Sequence, residues 1–320
     1  MFKQLITAFS VLACLSLASD DQTVEFDPID MTINGEVVSL YATRFSWFDP
    51  DVSEDKAEIH GNGRMYFTFM PNNTAVTDPE LLFRVNLLGG SIEYDVDLSN
   101  SQCGCNTGIY AVQMPARAKD GSLNNTDGYW YCGANDVGAF CPEFDIMEAN
   151  KYAFRSTIHT CDDPDENGYI KDCERGGVCA LDQYSWKNKF GDKGTSIDTN
   201  KPFTVKAEFH TIGRASRSRT LTGYTITMTQ GNNTFVLDSA DGTSKDCDVD
   251  QYIGKMGKSM VDGMALVFSF WGTDTAAGMK WLNHGVCEGG CDRKTAWSSV
   301  SNIRITEHVD ATQDDVQFIE

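Results

Sequence analysis

The 320-residue chain carries a formal charge of −20 and is 41% hydrophobic, with 11% aromatic residues. Nucleic acid and acidic membranes call for a basic footprint that this balance lacks, so neither is an expected partner and a neutral one is easier to accommodate. Acidic charge also keeps exported proteins soluble, so it removes candidates without naming a function.

In chain order, the first feature is a basic start at Lys3, an apolar stretch from Leu5 to Leu17, and the small residues Ser16, Ala18 and Ser19. That order reads as a secretory signal over residues 1–18, which predicts a secreted, extracellular protein. A buried first helix is the bland alternative, but the stretch lacks helical amphipathicity and Asp20 and Asp21 follow at once. No later segment approaches the roughly 18 apolar residues of a membrane span. The mature protein is expected to be soluble and monomeric.

With Cys14 inside the signal, ten of the eleven cysteines remain: Cys103, Cys105, Cys132, Cys141, Cys161, Cys173, Cys179, Cys247, Cys287 and Cys291. An even number in an exported chain predicts five disulfides. No doubled Cys-x-x-Cys spacing suggests zinc, so neither metal nor cofactor is expected. Asn-x-Thr sequons at Asn72, Asn124 and Asn232 fit a secretory route and surface loops.

Period-two alternation recurs along the chain while helical periodicity is scarce, which is an all-β pattern. Predicted strands cover Arg64–Met70, Ile92–Leu98, Thr107–Met114, Glu143–Ala149, Phe203–His210, Thr222–Met228, Met264–Trp271 and Val300–Thr306. Ile92, Tyr94, Val96 and Leu98 alternate with Glu93, Asp95 and Asp97; Phe203, Val205, Ala207 and Phe209 alternate with polar partners. The count suits two stacked antiparallel sheets. The Gly- and Cys-rich stretches Asp162–Asp192 and Asn283–Arg293 read as long disulfide-held loops. Without a linker or a 20–50-residue repeat, residues 19–308 form one expected catalytic domain, and 309–320 an acidic, disordered tail.

The informative segment is Cys141-Pro142-Glu143-Phe144-Asp145-Ile146-Met147-Glu148-Ala149-Asn150. In a regular strand Glu143 and Asp145 share one face with Met147, while Phe144, Ile146 and Glu148 share the other. Phe144 and Ile146 belong in a core, so Glu143 and Asp145 face a cleft and Glu148 would point into apolar surroundings, an expensive place for a carboxylate. A β-bulge near Met147 would return Glu148 to the cleft. Three converging acids cannot all ionise freely, so at least one retains a proton. Retaining glycosidases need such a pair, one carboxylate to attack and one acid to protonate the leaving oxygen. A solvated acidic edge or calcium ligation by clustered oxygens is the alternative.

The Glu-x-Asp-x-x-Glu-Ala-Asn segment resembles the catalytic strand of glycoside hydrolase family 7. Leu87-Leu88-Gly89, Tyr94-Asp95-Val96-Asp97-Leu98-Ser99, Cys103-Gly104, Asn106 and Tyr110 resemble the family segment upstream. His159 and Cys161 follow at the family's spacing, and Met264 to Trp271, Trp281-Leu282 and Ser301-Asn302-Ile303 are similar to its closing strands. The resemblance spans Leu82 to Thr306 and implies a concanavalin-like β-jelly-roll sandwich acting as a cellulase-type hydrolase on β-1,4-glucan. It implies Glu143 as nucleophile, Asp145 as its assistant, Glu148 as acid/base and His159 lining the site. His159 as a loop histidine beside Cys161 stays open. Trp271 and Trp281 match sugar-stacking positions, with Trp281 equally readable as packing, and Asn106 and Tyr110 match polar groups near the nucleophile.

The chain also departs from the family. Residues 19–80 lack its cysteine-rich pattern, and Trp47 does not align with its far-end sugar platform. The stretches Met114–Cys141 and Trp271–Val300 are shorter, Met147 replaces a Trp, Ser185 stands where an Arg binds substrate, and a late cleft Arg has no clear counterpart although Arg293 is nearby. Short loops imply an open cleft and endo cleavage. The alternatives are a reducing-end cellobiohydrolase, a family 16-like β-glucanase and a non-catalytic carbohydrate-binding jelly roll. A lyase for acidic polymers is disfavoured because no Arg or Lys is evident near the acid strand.

Overall fold

A computed structural model of the protein describes residues 28–43, 50–70, 78–125, 129–136, 138–177, 180–182, 188–213, 219–241 and 252–308. The expected signal, Trp47, Asn72, Cys179, Ser185, Cys247 and the acidic tail lie outside the described residues.

The chain opens with a hairpin of β1 (Pro28–Ile33) and β2 (Glu36–Ala42). Asn34 and Gly35 turn it with φ of 52° and 86°, which a two-residue hairpin turn matched to strand twist requires and Asn-Gly adopts readily. Next come β3 (Asp51–Ser53), β4 (Lys56–His60), β5 (Gly63–Thr68) and the short β6 (Arg84–Val85). The long strands β7 (Ser91–Asp97), β8 (Cys105–Val112), β9 (Glu143–Ala149) and β10 (Phe154–His159) follow. After the short β11 (Leu181–Asp182), β12 (Phe190–Gly191) and β13 (Ile197–Asp198), the chain forms β14 (Phe203–Ile212), β15 (Thr220–Gln230) and β16 (Asn233–Asp238). The helix α1 (Gly254–Met260), β17 (Met264–Gly272), the one-turn α2 (Lys280–Asn283) and β18 (Trp297–Thr306) complete it.

The strands form the expected β-sandwich. One sheet runs β11-β10-β9-β8-β17-β5 and the other β2-β1-β18-β7-β14-β15-β16, and the pairing of β2 with β5 joins them along one edge. Pairing is antiparallel except between β1 and β18 and in the separate β12–β13 ribbon. The core lies between the sheets: Phe144 of β9 meets Phe209 of β14 and Tyr224 of β15 edge-on, with centroids 5.2 and 4.9 Å apart.

In β7 and β14 the predicted alternation holds, with apolar residues buried and polar ones outward. In β8 every residue is buried, and in β9 every residue except half-buried Glu148. The polar face of that sheet forms the floor of a cleft, which hides the alternation from any pattern based on exposure.

Four disulfides join the eight described cysteines: Cys103–Cys287, Cys105–Cys291, Cys132–Cys141 and Cys161–Cys173. The first two clamp the predicted 283–293 loop to the start of β8. The third closes a short loop just ahead of β9, and the fourth ties the loop after β10. The fifth expected pair would involve residues outside the described set.

Candidate active site

A cleft of about 600 Å³ lies on the outer face of the β10-β9-β8-β17-β5 sheet. Residues alternating along five neighbouring strands supply its floor, and cross-strand register sets them in rows. Arg64, Ser269, Gly108, Glu148 and Arg155 form one row across the sheet. Tyr110, Asp145 and Thr157 form the next, Glu143 lies opposite His159, and Trp271 opposite Asn106. All eight predicted site residues line this one cleft.

The expected bulge is present, and it is centred on Ile146. Along β8, Tyr110 opposes Asp145 and its neighbour Ile109 opposes Met147, so Ile146 has no partner. Along β10 the register slips at the same place, between Arg155 and Thr157. Ile146 and Met147 are both fully buried. The extra residue restores Glu148 to the face that carries Glu143 and Asp145.

Each carboxylate has its own surroundings. Glu143 Oε2 accepts a hydrogen bond from the Ala134 N–H at 2.8 Å, in the loop closed by Cys132–Cys141. Burial, then the charge of Asp145, pushes its proton affinity up to a pKa of about 8, against the opposing pull of His159 and that N–H. Burial and Asp145 likewise raise Glu148 well above the usual carboxylate range, although Asn106 Nδ2 donates to its Oε1 at 3.0 Å. The charge of Glu143 adds to the rise at Glu148, so the acid cluster holds protons more tightly than separate carboxylates would. Asp145 Oδ2 lies 3.1 Å from His159 Nε2, which makes the imidazole a close partner of this carboxylate.

His159 is the last residue of β10, not a loop residue, and its Nδ1 lies 2.9 Å from the carbonyl of Glu174. Burial favours the neutral ring, but hydrogen bonds to Asp145 and Glu174 outweigh it and hold the imidazole pKa well above its ordinary value. Asn106 lines the same cleft as Glu143, and its amide donates to Glu148. Tyr110 is buried beside Glu143, with its hydroxyl 3.2 Å from that of Tyr131.

Trp271 and Trp281 stack with centroids 6.4 Å apart and planes 19° from parallel, which joins them into one apolar platform. Such flat surfaces bury the C–H faces of sugars.

The expectation that no cation lies near the acids is wrong. Arg64, Arg155 and Arg175 line the cleft. Arg64 lies 3.5 Å over the ring of Tyr131. Arg155 donates to Thr157 Oγ1 and to the carbonyls of Trp281, Gly176 and Gly177. Arg155, Thr157 and His159 share one face of β10 at a two-residue step, a face the sequence pattern does not reveal because β10 is not among the predicted strands. Arg293, which lies near the position of the family's late cleft Arg in the sequence, pairs with Asp274 at 2.9 Å and is not among the residues lining the cleft.

Two further residues support the site. Gly108 sits between Glu148 and Ser269, and a Cβ there would lie 2.6 Å from Ser269 Oγ, so only glycine keeps that floor open. Asn150, which ends the acid motif, donates to the carbonyls of Cys103 and Cys105 and to Asn283 Oδ1, and accepts from the N–H groups of Tyr152 and Ala153. Among the described residues no cluster of His, Cys, Asp and Glu is arranged to hold a metal ion.

A family model described as glycosyl hydrolase family 7 matches residues 123–302. Endoglucanase EG-1 of Trichoderma longibrachiatum is 31% identical over 226 residues, covering 63% of this chain and 46% of that protein. Endoglucanase 1 of Pyricularia oryzae is 27% identical over 263 residues, covering 70% and 62%. The chain thus spans about half the length of the Trichoderma relative. Among solved structures, an endoglucanase I complexed with cellobiose superposes with a TM-score of 0.66 at 18% identity, over 91% of this chain and 99% of that one. A cellobiohydrolase from Daphnia pulex does so with a TM-score of 0.65 at 18% identity, over 91% and 99%. These likenesses show the shared fold.

Proposed function

The chain belongs to glycosyl hydrolase family 7, and from that premise we propose that it is a secreted enzyme that hydrolyses internal bonds of β-1,4-glucan with net retention. The bulge at Ile146 carries this reading, because it adds a third carboxylate to a cleft floor where a regular strand would hold only two. Glu143 attacks the anomeric carbon while Glu148 gives its proton to the leaving oxygen; Glu148 then takes a proton from the water that releases the sugar. Asp145, held by His159, sets the charge beside both glutamates. The two-tryptophan platform stacks the chain, and Tyr110 orients beside Glu143 as Asn106 orients Glu148. The cellobiose in a structural neighbour and the endoglucanase names of the relatives support a glucan substrate. The shortened stretches around the cleft support attack within chains.

The test is hydrolysis of a soluble β-1,4-glucan, following viscosity, reducing ends and the anomer first released, by the native protein and Glu143→Gln. The expected result is an early fall in viscosity, β-anomer product and loss of turnover in the variant. Processive release of short sugars at constant viscosity would refute endo cleavage. Sugar binding without any reducing ends would identify a lectin.

A further inference from the structure

The Cys173–Gly177 segment does no chemistry in the reading above, yet it touches the cluster at its back. The Cys161–Cys173 disulfide fixes its start. Glu174 supplies the carbonyl that faces His159 Nδ1, and its carboxylate Oε2 lies 3.7 Å from the same nitrogen. That carboxylate also accepts from the N–H groups of Gly176 and Gly177, which pins it in place.

A carbonyl oxygen can only accept, so His159 Nδ1 carries a proton. Its other nitrogen, 3.1 Å from Asp145, leaves one proton to be placed on either the imidazole or the carboxyl. Both groups are almost wholly enclosed, with side chains 8% and 7% exposed, so neighbouring charge decides where it resides. The charged groups around His159 are Asp145, Glu143 and Glu148 on β9, Glu174 and Arg175 in the loop, Asp136 in the loop before β9, and Arg155 on its own strand. Of these, Asp145 and Glu174 bracket the ring, one at each nitrogen.

We propose that Glu174 is a positioning residue whose carboxylate keeps the shared proton on His159, so that Asp145 stays an anion beside Glu143 and Glu148. The proposal rests on the catalytic reading of that cluster but concerns a proton location that can be measured without turnover. Glu174→Gln removes the charge and keeps an oxygen for the glycine turn. Glu174→Asp keeps the charge.

The test follows the His159 ring nitrogens by ¹⁵N NMR across pH in the full chain, alongside kcat and KM on soluble glucan. Native protein and Glu174→Asp should hold the imidazolium into alkaline solution. In Glu174→Gln the midpoint should fall by at least one pH unit, a tenfold loss of proton affinity, and kcat should fall tenfold or more with KM little changed. An unchanged midpoint in Glu174→Gln, or an equal fall in Glu174→Asp, overturns the proposal. Absence of turnover in the native protein would sink the hydrolase reading and leave the proton measurement to stand on its own.

Discussion

Replacing Glu143 by Gln should stabilise the protein progressively as pH rises, while abolishing turnover. The native side chain is buried, and its pKa rises from the ordinary 4.5 to about 8. The folded state therefore holds this proton more tightly than the unfolded chain. Below pH 4.5 both states are protonated and the group exerts no penalty. Between 4.5 and 8 the unfolded chain loses the proton while the folded one keeps it, so native stability falls, and the full penalty is reached above 8. At ~1.4 kcal/mol per tenfold change, that interval corresponds to at most roughly 5 kcal/mol, part of it shared with Glu148. Glutamine is nearly isosteric, can still accept from Ala134 and does not titrate. Urea unfolding of native and variant protein under non-reducing conditions, at pH 4, 6 and 8.5, gives the difference directly. It should be small at pH 4 and grow to several kcal/mol in the variant's favour by pH 8.5. A constant offset, or a variant that loses ground as pH rises, would refute the electrostatic account of the acid cluster.

Three further substitutions probe the scaffold. Gly108→Ala sets a methyl 2.6 Å from Ser269 Oγ and 3.2 Å from the Tyr110 ring; stability should fall by ~1–3 kcal/mol, as overpacking does, and kcat/KM at least tenfold, read by urea unfolding and initial rates. Asn150→Ala removes a donor from the buried carbonyl of Cys105 and from that of Cys103, which keeps Asn283 Nδ2, and it uncaps the N–H groups of Tyr152 and Ala153. It should cost about 3 kcal/mol in the same unfolding assay. Met147→Lys places a charge at a fully buried position and should cost more than ~4 kcal/mol or prevent folding, measured by soluble yield and melting; a stable variant would mean that residue 147 faces the cleft.

Much of the sandwich was legible because its second sheet has one dry and one wet face, and β7 and β14 display that difference residue by residue. The hairpin of β1 and β2 was not foreseen, although Asn34-Gly35 is a hairpin signal in its own right. β10 was missed for a different reason. Its Arg155, Thr157 and His159 face a cleft and not bulk water, and they alternate with Phe154, Ser156 and Ile158, two of which are apolar and one a hydroxyl bonded to the Asp145 carbonyl. With β10 unread, Arg155 could not be placed opposite Glu148, and Glu174, fifteen residues after His159, could not be connected to it. Such pairings depend on a loop that returns to a strand end, and no local period encodes that return.

The acid strand shows where sequence reasoning reaches furthest. Strand alternation alone assigns Glu143 and Asp145 to one face and Met147 with them, and it sends Glu148 inward. An acid in the core would be so unfavourable that the motif itself demands an irregularity, so the need for a bulge is a physical deduction. Its location has a second physical basis: one added residue must be unpaired on both sides, and burying it requires an apolar side chain. Ile146 and Met147 meet that condition together, because a bulge turns two successive side chains inward where regular alternation would bury only one. The same local slip that aims Glu148 into the cleft thereby adds a methionine to the core. The aim of the acids and the packing of the core are consequently one feature of this strand, which is why a charge at Met147 should unfold the protein even though it sits between two acids that face the cleft.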